Sequence, residues 1–454
     1  MKHKKVGHVS EKNVPGLAVR QVCVRLLGAV LDKCTSLSGL IDNEYGHPQY
    51  LKLSQRDRLL CRAILTASLR HRGQITTALS RFLARPLPLQ ALSLQHLLHI
   101  SVAQILYLDI PDHAAIDLAV RVAKLDPRMQ RFAGVVNALL RNVAREAVSL
   151  RRLIPTIEDV PAWFGQLLVS TYGMEKAHQI IAIQSVEPPL DLTVISDSVR
   201  WAEKLGGVVL PNGSIRLNRL ECSVADLPGY REGGWWVQDF AAALPVCLLG
   251  ELRGKRVADL CASPGGKTAQ LALQGAQVTA IELSSNRVKR LKENMERLHF
   301  SVHIWQGDVR NFHPTQLFDA VLLDAPCSST GTIRRHPDIL WTKSKNDIVK
   351  LAALQYDLLV AAIALIKEGG RIVFSNCSLA REEGEDLIGK ILSTRTDIVL
   401  DPICPKEMGA LEHLLCEGML RTTPANFCHK NFDAKQTAFL GMDGFFAARL
   451  RKVA

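Results

Sequence analysis

The sequence predicts three units in a row: an all-α bundle, a small α/β subdomain, and a doubly wound, Rossmann-like α/β domain. Three observations carry this. The chain has 454 residues, too many for one ordinary domain of about 100–150 residues. From Gly16 to about Glu146 apolar residues recur at spacings of three and four, the period of helices that bury one face. After "GGWWVQDF" the pattern becomes strand, turn and helix, repeated to the end, as in a sheet covered by helices on both faces.

Residues 1–15 form a basic tip, beginning "MKHKKVGHVSEK", and are expected to be disordered. Residues 16–147 hold five to seven helices, among them "RDRLLCRAILTASLRHRGQI", "ISVAQILYLDIPDHAAIDLAVRVAK" and "FAGVVNALLRN". Pro86, Pro88, Pro111 and Pro127 fall between the apolar runs, where a residue lacking an N–H should end a helix. A basic segment, Arg70, His71 and Arg72, precedes Gly73. Residues 148–230 start as a helical connector, until the paired prolines of "EPPLDLTV" switch the chain to short strands. There "GGVVLPNGSIRLN" reads as two strands about a Pro-Asn-Gly turn. Residues 231–454 are the doubly wound domain.

Composition excludes several classes. The longest apolar run, "LLVAAIALI", is far short of the ~20 residues that span a bilayer, so no membrane partner is expected. No apolar segment of signal-peptide length follows the basic start, which predicts a cytoplasmic protein. The eleven cysteines are scattered and never form a CxxC pair, against both a disulfide framework and a zinc site. His96 and His99 share a helix face but have no third ligand nearby, so they read as packing or capping residues and no metal is expected. Charge is more informative. Residues 1–150 carry 21 Lys+Arg against 10 Asp+Glu, and the rest of the chain carries 35 against 34. A basic helical unit joined to a neutral one predicts a polyanion partner, most simply nucleic acid.

In the α/β part, "RVADLCASPGGKTAQLAL" is a strand, a turn with Pro264, Gly265 and Gly266, and a helix from about Lys267. Such a loop admits a ligand close to the N–H groups of a helix start, although it matches neither GxGxxG nor a P-loop. The next strands end in acids: Glu282, Asp308 and Asp324. Three acids at one sheet edge, the edge where open α/β sheets bind ligands, point to a site.

Two resemblances sharpen this reading. The helical segments quoted above resemble the NusB fold, an RNA-binding helical module, over residues 16–147. "DLCASPGGKTAQ", "DAPCSSTGTIRRHPDILW", "FSNCSLAREEGED" and "DGFFAARL" resemble the NOL/NOP/Sun family of S-adenosylmethionine-dependent RNA cytosine carbon-5 methyltransferases, over roughly residues 230–450. That family implies a class I methyltransferase fold. It also implies a cofactor site of Cys261, Ala262, Ser263, Pro264, Gly265, Gly266, Lys267, Glu282, Arg287, Asp308 and Asp324. With the NusB-like front, it implies a cytidine of small-subunit (16S) ribosomal RNA as substrate; the chain itself is expected to act as a monomer. Glu282 departs from the family's more common aspartate. Phe374 and Asn376 depart from its usual tyrosine and threonine.

Cytosine carbon-5 is too weak a nucleophile to attack a sulfonium methyl until a nucleophile adds at carbon-6, a task suited to a thiolate. Two cysteines stand at strand ends. Cys327 follows a proline, as the nucleophile of DNA carbon-5 methyltransferases does; Cys377 lies among the polar residues Ser375, Asn376 and Ser378. The residues alone leave the choice open, and each could be a small buried hydrophobe. The family resemblance implies that Cys377 is the nucleophile and that Cys327 assists product release. Asp324 is assigned to ring nitrogen-3 and Lys267 to orienting Asp324 or the base. Arg334, Arg335 and His336 read either as phosphate contacts or as a simple basic turn. Two other readings stand beside this one. One is a catalytically silent RNA-binding or antitermination-like factor, which the two cysteines, the glycine loop and the strand-end acids oppose. The other is an amino-methyltransferase, whose usual Pro-Pro-aromatic motif is replaced by "DAPC".

Overall fold

The computed structural model describes residues 14–88, 90–218, 222–427 and 441–453. Of the basic tip expected to be disordered, residues 1–13 lie outside these. The chain divides into two compact units, one of Met1–Gln166 with His336–Lys343, the other of Leu167–Arg335 with Ser344–Ala454. No described helix is long and apolar enough to cross a membrane.

The first unit is helical. Leu92–Tyr107 is its central helix; 12 of its 16 residues are buried, as expected of a helix apolar on nearly every side. Leu17–Lys33, Gln55–Arg70, Asp112–Leu125 and Ala133–Arg145 present apolar stripes to the same core, through Leu26, Ile64, Ala119 and Leu140. Local signals set the starts: the Ser54 hydroxyl accepts from Asp57 N at 3.2 Å, and Pro111 immediately precedes Asp112. His96 Nε2 lies 2.9 Å from Asp32, while His99 bonds Gln95 O at 2.8 Å and Thr76 at 3.0 Å. Burial pushes the His99 imidazole down to about 3, so it packs as a neutral ring.

The basic segment before Gly73 is taken up inside this unit. Arg70 is buried, His71 pairs with Asp159 at 3.3 Å and stacks on Tyr107, and Arg72 lies over the Trp341 ring. Gly73 is required where it stands, because a Cβ there would meet Glu158 O at 1.4 Å. The segment His336–Lys343 is fixed by Asp338 Oδ2, which accepts from Leu37 N at 2.9 Å, and by Trp341 Nε1, which donates to Leu69 O at 2.9 Å.

The second unit contains two sheets. In the smaller, β1 (Leu190–Val194), β2 (Val208–Val209), β3 (Ile215–Leu217) and β4 (Trp235–Val237) run antiparallel in the order β2-β3-β1-β4. β2 and β3 are the two strands expected around Pro-Asn-Gly. β4 corrects the boundary at 230. Trp235 packs on Leu192, Val194 and Ile215, which draws β4 into the small sheet.

The larger sheet comprises β5 (Arg256–Leu260), β6 (Gln277–Glu282), β7 (His303–Gln306), β8 (Phe318–Asp324), β9 (Ile366–Asn376), β10 (Ile398–Leu400), β11 (Leu415–Cys416), β12 (Met419–Thr422) and β13 (Phe445–Lys452). Its order is β11-β12-β13-β9-β8-β5-β6-β7, with β10 also on β13. β5 to β9 are parallel, and β13 returns antiparallel to β9. The chain winds outward from β5 through β6 and β7, then restarts on the other side with β8. This reversal between β5 and β8 leaves a crevice at their carboxyl ends.

Candidate active site

The loop after β5 lies at that reversal. Cys261 takes a left-handed conformation (φ 62°), and Gly265 (φ 105°) caps the helix Gly266–Leu273. A Cβ at Gly265 would press on Leu291 and Met295 at 2.8 and 2.9 Å, so the turn and its packing both need glycine. Glu282, buried at the end of β6, accepts from Ser263 N at 3.4 Å and Ser284 N at 3.1 Å. Arg287 reaches Glu282 at 3.5 Å and donates to Ser263 O at 2.8 Å, while Ser263 Oγ donates to Arg287 O at 2.9 Å. The loop, Glu282 and Arg287 thus form one bonded assembly. Asp308 stands at the neighbouring strand end, where it caps a turn and pairs with Arg310, which holds its carboxyl below the usual range. Burial pushes the Cys261 thiol up to about 12, so it lines the loop as a neutral group.

Asp324 ends β8 with both oxygens engaged. Lys267 Nζ donates to Oδ2 at 2.8 Å, and Ser375 Oγ donates to Oδ1 at 3.1 Å. The second bond follows from register, since Asp324 is paired with Ser375 across β8 and β9. Lys267 also lies 4.7 Å from the centre of the Phe445 ring, a cation–π contact that fixes its direction.

The two thiols are neighbours. Cys377 leaves β9, Cys327 leaves β8, and their Sγ atoms are 3.4 Å apart. Hydrogen-bond donation from Cys327, with a further contribution from Ser329, holds the Cys377 thiol below its ordinary range; the same bond and burial raise Cys327 well above its own. Of the two thiols, Cys377 is therefore the one that ionises more readily. Backbone contact brings the loops together: Gly331 N donates to Cys377 O at 2.8 Å. Gly331 has no room for a Cβ, which would fall 2.0 Å from Gly444 O. Asn376 serves this turn well in place of threonine, with Nδ2 donating to Glu383 O at 2.6 Å and Oδ1 accepting from Ser378 N at 3.0 Å.

Of the candidate phosphate contacts, two are corrected. Arg334 is buried, with Asp239 at 3.6 Å and Asp443 at 3.8 Å, and Arg335 Nε donates to Asp443 at 2.9 Å. Both guanidiniums face protein carboxylates, so they anchor the loop. His336 belongs to the helical unit. Sequence reading also missed residues here. Asp259, fully buried in β5, accepts from Thr268 Oγ1 at 2.5 Å, and burial pushes its carboxyl up to about 7. Its only sequence signal is an acid within the apolar run "RVADL". Ser375 and Phe445 had none, since both act across strands.

Known proteins share this organisation. The family model described as 16S rRNA methyltransferase RsmB/F matches residues 246–451, and that of the NusB family matches residues 17–145. The chain is 34% identical over 399 residues to a protein of Serratia proteamaculans (strain 568) named Ribosomal RNA small subunit methyltransferase B, covering 84% of this chain and 91% of that one. A protein of the same name from Sodalis glossinidius (strain morsitans) is 33% identical over 403 residues, covering 84% and 90%. Among solved structures, PH0851 superposes with TM-score 0.71 at 21% identity over 97% of this chain and 99% of its own. NSun6 from Pyrococcus horikoshii, solved with SFG, gives 0.54 at 18% over 65% and 98%; both show a shared fold. The chain therefore belongs to the 16S rRNA methyltransferase RsmB/F family, with a NusB family domain at its front.

Proposed function

We propose that this chain transfers a methyl group from S-adenosylmethionine to carbon-5 of a cytidine in 16S ribosomal RNA, through a covalent bond between Cys377 and the base. The observation that carries the proposal is the thiol pair, 3.4 Å apart, beside Asp324 at the adjoining strand end and the Lys267 ammonium that pairs with it. The cofactor fits the residues present. Glu282, Asp308 and Asp324 offer acids to a ribose diol and a cationic centre, and the buried Asp259 Oδ1 has no hydrogen-bond partner among the described residues. When bound, S-adenosylmethionine supplies an electrophilic methyl group.

The protein's part is to activate and release the base. The Cys377 thiolate adds to carbon-6, breaking the carbon-5/carbon-6 π bond and making carbon-5 enamine-like. Asp324 meets the ring at nitrogen-3, and the Lys267 ammonium beside it offsets the negative charge that develops there. After transfer the carbon-5 proton leaves to a base, the π bond re-forms and the carbon–sulfur bond breaks. Cys327, its Sγ 3.4 Å from that of Cys377, steadies the departing thiolate by donating its S–H. Lys124, Arg131, Arg141 and Arg145 are exposed on the helical unit and suit RNA phosphates. These assignments predict that Cys377→Ala abolishes labelled methyl transfer to 16S RNA. They also predict that Cys327→Ala leaves an RNA–protein adduct surviving denaturation on a gel. Adduct accumulating with Cys377→Ala would reverse the two roles.

A further inference from the structure

Of the four acids in "REEGED", Glu383 alone is buried, with none of its surface exposed. Its Oε1 accepts from Ser328 N at 2.9 Å and Gln355 Nε2 at 2.8 Å, and its Oε2 accepts from the Ser328 and Ser378 hydroxyls, both at 2.5 Å. Ser328 follows Cys327, and Ser378 follows Cys377. The residues on the other side of each cysteine join the same centre: Gln355 donates to Pro326 O at 3.0 Å, and Asn376 donates to Glu383 O at 2.6 Å. Both flanks of both thiols are therefore tied to one residue, directly or through Gln355. A buried carboxylate is costly to desolvate. What it offers that an apolar side chain cannot is directed attachment of two loops to one point.

From this geometry we infer that Glu383 is a positioning residue for the two-thiol chemistry, setting the separation and alignment of Cys327 and Cys377 without touching RNA or the methyl donor. The inference rests on the roles assigned to the two cysteines above. Misplacement of reacting atoms by about 1 Å can cost ~100-fold in rate, and Glu383 controls displacements on that scale.

The test compares Glu383→Ala, Glu383→Gln and Ser378→Ala in the full chain by two readouts. One is methylation, divided into kcat and KM for RNA. The other is the rate at which diamide joins Cys327 to Cys377, mapped by peptide mass spectrometry; the two thiols lose two protons and two electrons as the diazene becomes a hydrazine. In Glu383→Ala, kcat is expected to fall ~100-fold with KM within about threefold, and thiol joining to slow about tenfold or more. Glu383→Gln should recover most of both, because its amide oxygen still accepts the two N–H donors while the serine hydroxyls turn to accept from its NH₂. If Glu383→Ala does not fold, Ser378→Ala decides, with about a tenfold loss in each readout. A folded Glu383→Ala or Ser378→Ala that joins its thiols within about twofold of the unmodified rate overturns the inference, as does a loss confined to KM. The diamide reaction needs neither RNA nor methyl donor. Methylation persisting in Cys377→Ala would therefore sink the functional reading while leaving the positioning measurement to decide on its own.

Discussion

Two thiol pairs among the described residues have the same spacing. Cys23 and Cys61 in the helical unit, and Cys327 and Cys377 in the methyltransferase unit, each have their sulfurs 3.4 Å apart. Cys23 and Cys61 are fully buried in an aliphatic core, and burial raises the Cys23 thiol well above its ordinary range. The second pair stands at strand ends among serines and an asparagine, and Cys377 is pulled the opposite way. Proximity alone does not activate a thiol. What separates the pairs is the supply of hydrogen-bond donors to one sulfur and an opening toward a ligand edge.

Beyond the complete loss expected for Cys377→Ala, the largest effect should come from Gly331→Ala. A Cβ 2.0 Å from Gly444 O and 2.8 Å from Cys377 O must push the loops apart, lowering methylation at least ~100-fold, measured with labelled methyl donor beside a melting curve. Next, Cys327→Ala removes the donor that favours the Cys377 thiolate. Because donation stabilises the charged form, its loss should move the inflection of Cys377 alkylation to higher pH, read from iodoacetamide rates across pH. An inflection that falls or stays would show that Cys327 does not set the thiolate. The smallest effect belongs to the buried pair. Cys23→Ala should cost about 1–2 kcal/mol of stability, seen in denaturant melts, and leave methylation unchanged; a loss of activity would break the contrast.

Much of the site could be read from the sequence because it is local. Glu282 and Asp324 sit at the ends of short apolar runs, and Gly265 and Lys267 lie within seven residues of the end of another, "RVADL". The remainder depends on partners far along the chain. Arg334 and Arg335 looked like surface cations, since their carboxylate Asp443 lies about a hundred residues later. Trp235 reads equally as the start of a domain or the edge of a sheet until its neighbours Leu192 and Ile215 are known. Glu383 in "REEGED" resembles any solvated acid; only the fold delivers the donors that bury it. Arg70 and Arg72 contributed to the basic charge of the helical front, yet both are used inside it.

The helical unit is discontinuous in sequence, running to Gln166 and resuming at His336–Lys343. This orders its birth on the ribosome. Leu37 N and Leu69 O, exposed early, have to wait for Asp338 and Trp341, which emerge only after β8 has been made. At about 5–20 residues per second that delay is roughly 14–60 s. The front of the chain is thus translated first but finished late, when half of the methyltransferase sheet is already available to fold.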